Sequence, residues 1–239
     1  MRYTSAELEQ FIHQNADRSW EPGYEEYREH FAALNRIVVE SGVRLEGNLF
    51  TEHLCDAPPE RPVECFRNKR SNYAMFCTGG LSLLEIGFNA GHSCMLALTI
   101  NKDLRYVGVD IGMHPYTQPC YDYLRSVFGD RVRLHFGDSR DVVPSLRRQR
   151  ERFDLYHLDG GHGFNIAHAD LCNLLDFADE GSTLLVDDTN DHRIDAMCDY
   201  YVLQGQMMPM QFSRIWSQTI DHRLFRVERR PVPGSALLR

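Results

Sequence analysis

Five short apolar segments of this sequence each end in an acidic residue or lead directly to one. The acidic residues are Glu85, Asp110, Asp138, Asp159 and the pair Asp187 and Asp188. Any one of them alone could be a helix N-cap or part of a solvated turn. If the segments are parallel strands, however, their carboxyl ends meet at one edge of a sheet, where α/β proteins bind ligands. The joint pattern therefore predicts a ligand site at that edge.

The segment SLLEIGFNAGHSCMLAL, residues 82–98, indicates what kind of ligand this is. Its apolar run stops at Gly87 and resumes with helical spacing after Gly91. Glycines allow a loop to pass close to a ligand, Asn89 tolerates left-handed backbone, and a helix start offers unbonded N–H groups. Asp110 follows about twenty residues later, where a carboxylate would receive the hydroxyls of a ribose. We therefore expect a nucleoside.

The elements that must position these residues are visible in the hydrophobic pattern. Candidate strands are LSLLEIG, LRYVGVD, RVRLHFG, FDLYHLD and STLLVDD, and candidate helices begin near Gly91, Thr117, Ser139, Phe164 and Asp191. Apolar strands that alternate with helices indicate a parallel sheet covered on both faces. MQFSRIWSQ and HRLFRVERR are two further candidate strands with no helix between them, which favours antiparallel pairing. The predicted fold is a Rossmann-like, doubly wound α/β sheet of seven strands, mostly parallel with an antiparallel edge strand.

The first part of the chain has a different pattern. SAELEQFIHQNA and GYEEYREHFAALNRIVVESG are predicted amphipathic helices, the second ending at Gly42, and the prolines of CDAPPERPVECF mark a loop. We therefore expect a helical extension or lid over residues 1–75 and a cofactor-binding domain over residues 76–239.

Charge and composition indicate which binding partners and which cellular location to expect. The 239 residues carry a formal net charge of −8 and show no basic stripe, so a nucleic acid is an unexpected partner. No apolar stretch has the length of a membrane span, and the N-terminus lacks the apolar centre of a signal peptide. Seven cysteines at irregular spacing indicate free thiols in a reducing compartment. We expect a cytoplasmic protein that acts on a small molecule, with a homo-oligomer as an option.

Three motifs in order resemble class I S-adenosylmethionine-dependent methyltransferases. LEIGFNAG is similar to their first motif, although Asn89 stands where a middle glycine is common; VGVDI and FGDSRD are similar to the second and third. The resemblance covers roughly residues 81–189 and implies S-adenosyl-L-methionine as the cofactor. The cofactor-binding residues that it implies are Glu85, Gly87, Phe88, Asn89, Gly91, Ser93, Asp110, Ile111, Asp138, Ser139 and Asp159.

LDGGHGFNIAHADL and LLVDDT resemble a narrower group, the small-molecule O-methyltransferases with a D-G-x-H motif, which include macrolide-sugar enzymes and have catechol-type enzymes as distant relatives. This resemblance implies a divalent metal held by Asp159, Asp187 and Asp188. Three carboxylates without a sulfur ligand suit Mg²⁺. His162 stands at the offset of the catechol-type lysine base, so His162 is the implied catalytic base, together with Asp159 in the catalytic centre.

Several of these residues also fit structural roles. His162 could cap the helix that follows it, and Asp187 and Asp188 could be N-cap residues. His157 and Asp159 form an H-x-D pair of the kind found in facial-triad iron sites, with His192 or His222 as a third ligand, although the pattern around His157 predicts a buried strand.

Three functions follow from these alternatives. The first is a magnesium-assisted O-methyltransferase for a small hydroxylated molecule. The second is a metal-independent enzyme with His162 as its only base and an oxygen, nitrogen or carboxylate acceptor. The third is a catalytically silent S-adenosylmethionine-binding subunit.

Overall fold

The structure is a computed structural model that describes residues 23–51, 57–210 and 222–228. The predicted helix SAELEQFIHQNA lies outside these ranges, as does nearly all of the predicted strand MQFSRIWSQ. The elements below are numbered along the described part of the chain.

A seven-stranded sheet forms the centre of the molecule. Its strands are β1 (Ser82–Ile86), β2 (Arg105–Asp110), β3 (Val132–Phe136), β4 (Leu155–Leu158), β5 (Thr183–Val186), β6 (Met207–Met210) and β7 (Arg223–Val227). Their order across the sheet is β3-β2-β1-β4-β5-β7-β6. The strand order reverses at β1, which lies between β2 and β4, and this is the switch point where such sheets bind ligands.

Seven α-helices accompany the sheet in the described residues. They are α1 (Tyr24–Ser41), α2 (Arg67–Thr78), α3 (His92–Ile100), α4 (Thr117–Phe128), α5 (Ser139–Arg148), α6 (Phe164–Phe177) and α7 (His192–Leu203). Short 3₁₀ turns precede α2 and β3, at Glu64–Phe66 and Gly129–Arg131.

The first five strands are parallel because a helix connects each strand to the next, and these helices cover both faces of the sheet. Every side chain of β4 and β5 is buried, as expected of strands with no solvent-facing side. One apolar cluster packs α1 to α4 against one face, and a second packs α5 to α7 against the other. The predicted fold class is therefore confirmed.

The C-terminal strands complete the sheet in a specific way. β7 pairs antiparallel with both β5 and β6, so the antiparallel strand lies one place in from the edge and β6 forms the edge. The predicted strand MQFSRIWSQ overlaps β6 only at Met210, because pairing with β7 begins at Met207. The predicted strand HRLFRVERR contains β7.

Helix α1 belongs to the core rather than standing apart from it. Tyr27, Phe31 and Leu34 are at most 1% exposed and share a cluster with residues of α3. The helix ends where predicted, because Gly42 adopts a left-handed conformation with φ of 73°. The predicted division at residue 75 falls within α2, and the division itself stays a prediction.

Candidate active site

A cavity of about 400 Å³ opens at the carboxyl ends of the parallel strands. Of the cofactor residues predicted from sequence, nine line it: Gly87, Phe88, Asn89, Ser93, Asp110, Ile111, Asp138, Ser139 and Asp159. The volume lies in the range of cofactor-sized pockets. Glu85 and Gly91 lie outside its lining.

The glycine loop after β1 is shaped by the neighbouring strand as well as by the cavity. Gly87 has φ of 96°, and a Cβ placed on it would overlap the carbonyl oxygen of Asp159. Gly91 has φ of 74°, and a Cβ there would lie 2.6 Å from Phe88 Cζ. Both glycines are therefore required by backbone geometry and close packing, in addition to any ligand contact.

Asp110 holds the glycine loop in place. Its Oδ2 accepts hydrogen bonds from the backbone N–H groups of Phe88 at 2.9 Å and Asn89 at 2.8 Å, and its Oδ1 accepts one from Gly112 at 2.7 Å. A carboxylate offers about four lone-pair positions. Asp110 can therefore brace the loop and still accept a further hydrogen bond from a ligand in the cavity.

Asn89 joins the loop to a segment that was not predicted to be part of the site. Its backbone is left-handed, with φ of 53°, as its residue type permits. Its Oδ1 accepts a hydrogen bond from the Tyr116 hydroxyl at 2.8 Å, and its Nδ2 donates one to the Gly47 carbonyl at 3.4 Å. Residues 46–49, here called the N-terminal wall, line the cavity beside this contact.

His92 attaches the N-terminal wall to the core. It is buried, with Nε2 2.9 Å from Asn35 Oδ1 on α1 and Nδ1 3.3 Å from Asn48 Nδ2 on the wall. Burial lowers the pKa of His92 to about 3, so the ring is neutral and serves as a hydrogen-bonding link.

Glu85 lies beneath the cavity in a closed polar cluster. Its side chain is fully buried and accepts hydrogen bonds from the hydroxyls of Tyr106 and Ser93, the latter at 2.7 Å. His157 Nδ1 lies 2.5 Å from Glu85 Oε1. Both carboxylate oxygens are engaged by protein groups, so Glu85 stabilises the base of the loop, and its predicted contact with a cofactor stays a prediction.

Asp138 is the N-cap of α5, and Arg140 contacts its side chain. It accepts a hydrogen bond from the Arg140 backbone N–H at 2.9 Å, and the Arg140 guanidinium contacts both of its oxygens, the closest at 2.6 Å. These hydrogen bonds lower the pKa of Asp138 to about 2. Ser139 and Ile111 line the cavity next to this pair, and Ile111 is 61% exposed.

The predicted base, His162, forms a pair with Asp188. His162 Nδ1 lies 2.6 Å from Asp188 Oδ2, and the His162 side chain is 59% exposed where it lines the cavity. The hydrogen bond to Asp188 raises the pKa of His162. Asp188 holds this position with a left-handed backbone, φ of 58°, which is uncommon for a residue other than glycine.

Asp187, next to Asp188 at the end of β5, is paired with a lysine. Lys69 Nζ on α2 lies 2.8 Å from Asp187 Oδ2, and the two side chains are 11% and 4% exposed. The buried Asp187 Oδ1 has no hydrogen-bond partner among the described residues. Burial acts to raise the pKa of Asp187, but Lys69 and nearby histidines outweigh it and bring that pKa to about 2.

The three carboxylates that the resemblance implies as metal ligands do not converge in the described structure. Oxygens bound to one Mg²⁺ ion lie within about 4.2 Å of one another, twice the ligand distance. The ligand atoms of Asp159, Asp187 and Asp188 do not all come within 4.8 Å of one another, and Asp188 and Asp187 are engaged by His162 and Lys69. In this arrangement the trio does not fit a magnesium ion. Burial and the charge of Asp187 raise the pKa of Asp159.

One group within the described residues does bring three ligand atoms within 4.8 Å: Glu85, His157 and Asp159. It contains the H-x-D pair, but its third member is Glu85 rather than His192 or His222. Because Glu85 Oε2 already accepts hydrogen bonds from Tyr106 and Ser93, and Oε1 contacts His157, the group is a hydrogen-bonded core cluster. His157 is 1% exposed, in agreement with its assignment as a core histidine.

Comparison with known proteins identifies this architecture. Residues 84–189 match the model of a family described as a methyltransferase domain. These residues are similar to a methyltransferase domain. The matched methyltransferase domain runs from within β1 to just past β5 and contains every predicted cofactor, metal and base residue. No curated protein matches the sequence significantly.

Solved structures with the same fold include three methyltransferases. An O-methyltransferase from Bacillus cereus in complex with SAH is 16% identical, with a TM-score of 0.59 over 93% of this chain and 98% of that one. TomG from Streptomyces achromogenes, an O-methyltransferase of tomaymycin synthesis in complex with SAM, is 16% identical, with a TM-score of 0.60 over 91% and 95%. An SAH-bound methyltransferase of Podospora anserina is 13% identical, with a TM-score of 0.59 over 96% and 98%.

The predicted class, an S-adenosylmethionine-dependent methyltransferase with a class I fold, is confirmed by the domain match and the fold. Within the described residues, no helix combines the length and apolar character that a membrane crossing requires.

Some residues of the site could not be assigned from the sequence. Lys69 precedes β1 closely enough to reach a cofactor or substrate, but its local pattern does not decide this, and nothing in the pattern of the N-terminal wall marks it as a neighbour of the strand ends. His114 also lines the cavity, 3.3 Å from Glu46 and stacked on Tyr116. The only sequence signal for any of them was that Lys69 lies shortly before the first strand.

Proposed function

We propose that this chain transfers a methyl group from S-adenosylmethionine to an oxygen atom of a small hydroxylated molecule. The observation that carries the proposal is the pair of His162 and Asp188 at the wall of the cavity, beside Asp159. Its geometry is that of a base oriented by a carboxylate, in a half-exposed position that an acceptor can reach.

The residues of the cavity fit the cofactor. The glycine loop, which Asp110 braces, allows a nucleoside to approach the backbone. Ser139 and Ile111 offer a polar and an apolar wall for the adenine ring of the cofactor. When bound, S-adenosylmethionine supplies a methyl group on a positively charged sulfur. The predicted contacts of Glu85, Gly91 and the other cofactor residues are part of this proposal.

His162 would remove the proton of the acceptor. Asp188 accepts a hydrogen bond from Nδ1–H, which leaves Nε2 as the ring nitrogen that takes a proton. Proton removal by His162 would leave the acceptor oxygen nucleophilic, so that it could take the methyl group that bound S-adenosylmethionine would supply. Asp188 stabilises the imidazolium that results, and Asp159 contributes polarity beside the reacting atoms.

Magnesium assistance through Asp159, Asp187 and Asp188 was predicted from the resemblance and stays a prediction. The engagement of Asp187 by Lys69 supports the metal-independent alternative, in which His162 is the only base. A silent S-adenosylmethionine-binding subunit is the remaining alternative. The pair of His162 and Asp188 at the cavity wall weighs against a silent subunit, because a silent subunit needs no general base.

The N-terminal region is proposed to act as a lid. Its wall, residues 46–49, lines the cavity opposite the strand ends, so the residues before the methyltransferase domain would help select the acceptor. A cytoplasmic location, a homo-oligomeric state and the absence of a nucleic-acid partner stay predictions.

The test combines binding and turnover. Purified full-length protein is titrated with SAH by calorimetry, then incubated with labelled S-adenosylmethionine and a panel of phenols, sugars, amines and carboxylic acids. Methylation of a hydroxylated acceptor supports the proposal. Transfer only to amines or carboxylic acids contradicts it, and tight SAH binding with no transfer to any acceptor favours the silent subunit. A parallel series with excess EDTA separates the magnesium-assisted from the metal-independent mechanism.

A further inference from the structure

The environment of Lys69 is the least expected feature of the site. Lysine is rarely buried, and here its ammonium group lies 2.8 Å from a carboxylate that is itself almost fully buried. It reaches that carboxylate from α2, a helix that lies before the methyltransferase domain in sequence.

Helix α2 is held so that Lys69 must face this position. Asn72, one helical turn after Lys69 and on the same face, has its Nδ2 3.3 Å from Nε2 of the buried His222. His222 precedes β7, which pairs with β5, and Asp187 directly follows β5. Two contacts, Lys69 with Asp187 and Asn72 with His222, therefore fix α2 against neighbouring strand ends.

The ammonium group of Lys69 contacts the carboxylate oxygen that a metal ion at Asp187 would bind. Asp187 Oδ2 is the oxygen that contacts Lys69, and its other oxygen, Oδ1, has no hydrogen-bond partner in the described part of the chain. A divalent ion bound at Asp187 would lie a few ångströms from the ammonium and would be repelled by it. The site already contains one cation, which is part of the protein.

We infer that Lys69 is a built-in cation that takes the place of a divalent metal at the ends of β4 and β5, and that it excludes the metal from Asp187. The carboxylates of this edge are thus balanced by a side chain rather than by an ion from solution. Lys69 also positions Asp187, and through it the adjacent Asp188 that orients His162.

A consequence follows for the variant without the ammonium group. Lys69→Met keeps much of the side-chain length but removes the charge, so Asp187 is left without its counter-ion beside Asp159 and Asp188. Removal of the ammonium group leaves both oxygens of Asp187 available as hard ligands of the kind that Mn²⁺ and Mg²⁺ prefer, and an ion bound there would draw the neighbouring carboxylates toward it. The variant should therefore gain a metal site that the natural protein lacks.

The experiment measures Mn²⁺ binding to the full chain by electron paramagnetic resonance, without any turnover. We expect no saturable Mn²⁺ site in the natural protein and a saturable site in Lys69→Met, with at least tenfold more Mn²⁺ bound at the same free concentration. Lys69→Arg, which keeps the charge, should behave like the natural protein. So should Lys102→Met, which removes an exposed lysine elsewhere. Adding Asp187→Asn to Lys69→Met should abolish the gained site.

Two results would overturn the inference. One is a saturable Mn²⁺ site in the natural protein that Asp187→Asn removes, and the other is no gain of Mn²⁺ binding in Lys69→Met. If Lys69→Met is unstable, its melting temperature with and without Mn²⁺ decides: a rise with Mn²⁺ that Lys102→Met does not show supports the inference, and no rise contradicts it. Because these measurements need neither cofactor nor acceptor, failure of the proposed methyl transfer would leave them unaffected.

Discussion

Two acidic residues at the carboxyl ends of strands differ in how their oxygens are bonded. At the end of β2, both oxygens of Asp110 accept hydrogen bonds from backbone N–H groups. After β5, one buried oxygen of Asp187 has no hydrogen-bond partner among the described residues. Glu85, at the end of β1, resembles Asp110, since tyrosine, serine and histidine side chains engage it. The β1–β2 end of the sheet is thus a scaffold in which every carboxylate oxygen bonds to the protein and the glycine loop is held in shape.

The β4–β5 end is arranged differently. Its acidic residues are paired with Lys69 and His162, two side chains that can carry or exchange a proton, and Asp188 is held in a left-handed backbone conformation to make its contact. The comparison teaches that acidic residues at equivalent strand ends divide into those that build a cavity and those positioned for chemistry. Substitutions at the first end should change binding and folding, and substitutions at the second should change the rate.

The largest effect is expected for Gly87→Val. The valine side chain would overlap the backbone of Asp159, which no side-chain movement can relieve, and a β-branched residue is disfavoured at φ of 96°. We expect loss of SAH binding by calorimetry, together with a lower melting temperature. Gly181→Val is the matched control, because Gly181 also has positive φ, 85°, but no atom of the described residues lies within 4 Å of its Cβ position. Equal behaviour of the two variants would show that conformation alone, and not the contact between β1 and β4, makes Gly87 necessary.

The next effect is on the rate, at the other end of the sheet. His162→Ala should lower kcat by about 10²–10⁴-fold, the usual contribution of a general base, while the affinity for SAH stays unchanged. Added magnesium should not restore the rate, whereas higher pH should raise it, because hydroxide or an ionised acceptor replaces the base. His192→Ala, at a side chain that is 94% exposed, is the control. A normal rate in His162→Ala would mean that His162 has only a structural role in the loop before α6.

Asp110→Ala should act on binding and leave the chemistry intact. Hydrogen bonds to a charged group contribute about 1.5–3 kcal/mol each, and this substitution removes two from the glycine loop and one from Gly112, as well as any to the ribose. SAH affinity should fall tenfold or more by calorimetry, with kcat at saturating cofactor close to that of the natural protein. A large loss of kcat with unchanged affinity would contradict the division between the two ends.

The smallest effect is expected at Asp170 on α6, a carboxylate that lies below the β4–β5 end without belonging to the proposed chemistry. Burial raises its pKa to about 6, with Asp138 acting in the same direction and Ser139 and Arg140 opposing it. The pKa of an aspartic acid in the unfolded chain is about 3.9, so the folded state holds the proton of Asp170 more tightly. The free energy of unfolding should therefore decrease as the pH rises from about 4 to about 6.

Asp170→Asn should therefore raise the free energy of unfolding by about 1–3 kcal/mol at pH 7 and by much less at pH 4, measured by urea denaturation. Methyl transfer should be retained. If Asp170→Asn destroyed activity without destabilising the protein, the set of residues assigned to chemistry at this end would have to be enlarged.

The sequence predicted the sheet well because its strands and helices carry strong local signals. The five parallel strands match the predicted apolar runs, and helices begin at Thr117, Ser139 and Phe164 as expected, since these positions follow clear breaks in the pattern. The seventh strand was also found, whereas β6 begins three residues before the predicted run, most of which lies outside the described residues. The position of β6 depends on pairing with β7, which is a contact between distant residues that local pattern does not encode.

The sequence predicted the acidic residues at the strand ends, but it did not predict the side chains and segments that pack against them. The motifs identify Asp110 and Asp187 as acidic residues at the edge, but whether each is braced by backbone N–H groups or paired with a lysine depends on tertiary packing. Lys69 lies over one hundred residues before Asp187, so only the assembled sheet brings them together. For the same reason the sequence could not show that the N-terminal wall closes the cavity.

The contact between Asn89 and the Gly47 carbonyl, together with the His92 link to Asn35 and Asn48, encloses the cavity with two parts of the chain that are far apart in sequence. A ligand held between them acts as a non-covalent crosslink. Cofactor saturation should therefore raise the melting temperature of the whole molecule, by an amount set by about 2.7 kcal/mol of stabilisation at a hundred times Kd. By reciprocity, any change that loosens α1 from the core should weaken cofactor affinity from a distance, without touching one ligand contact.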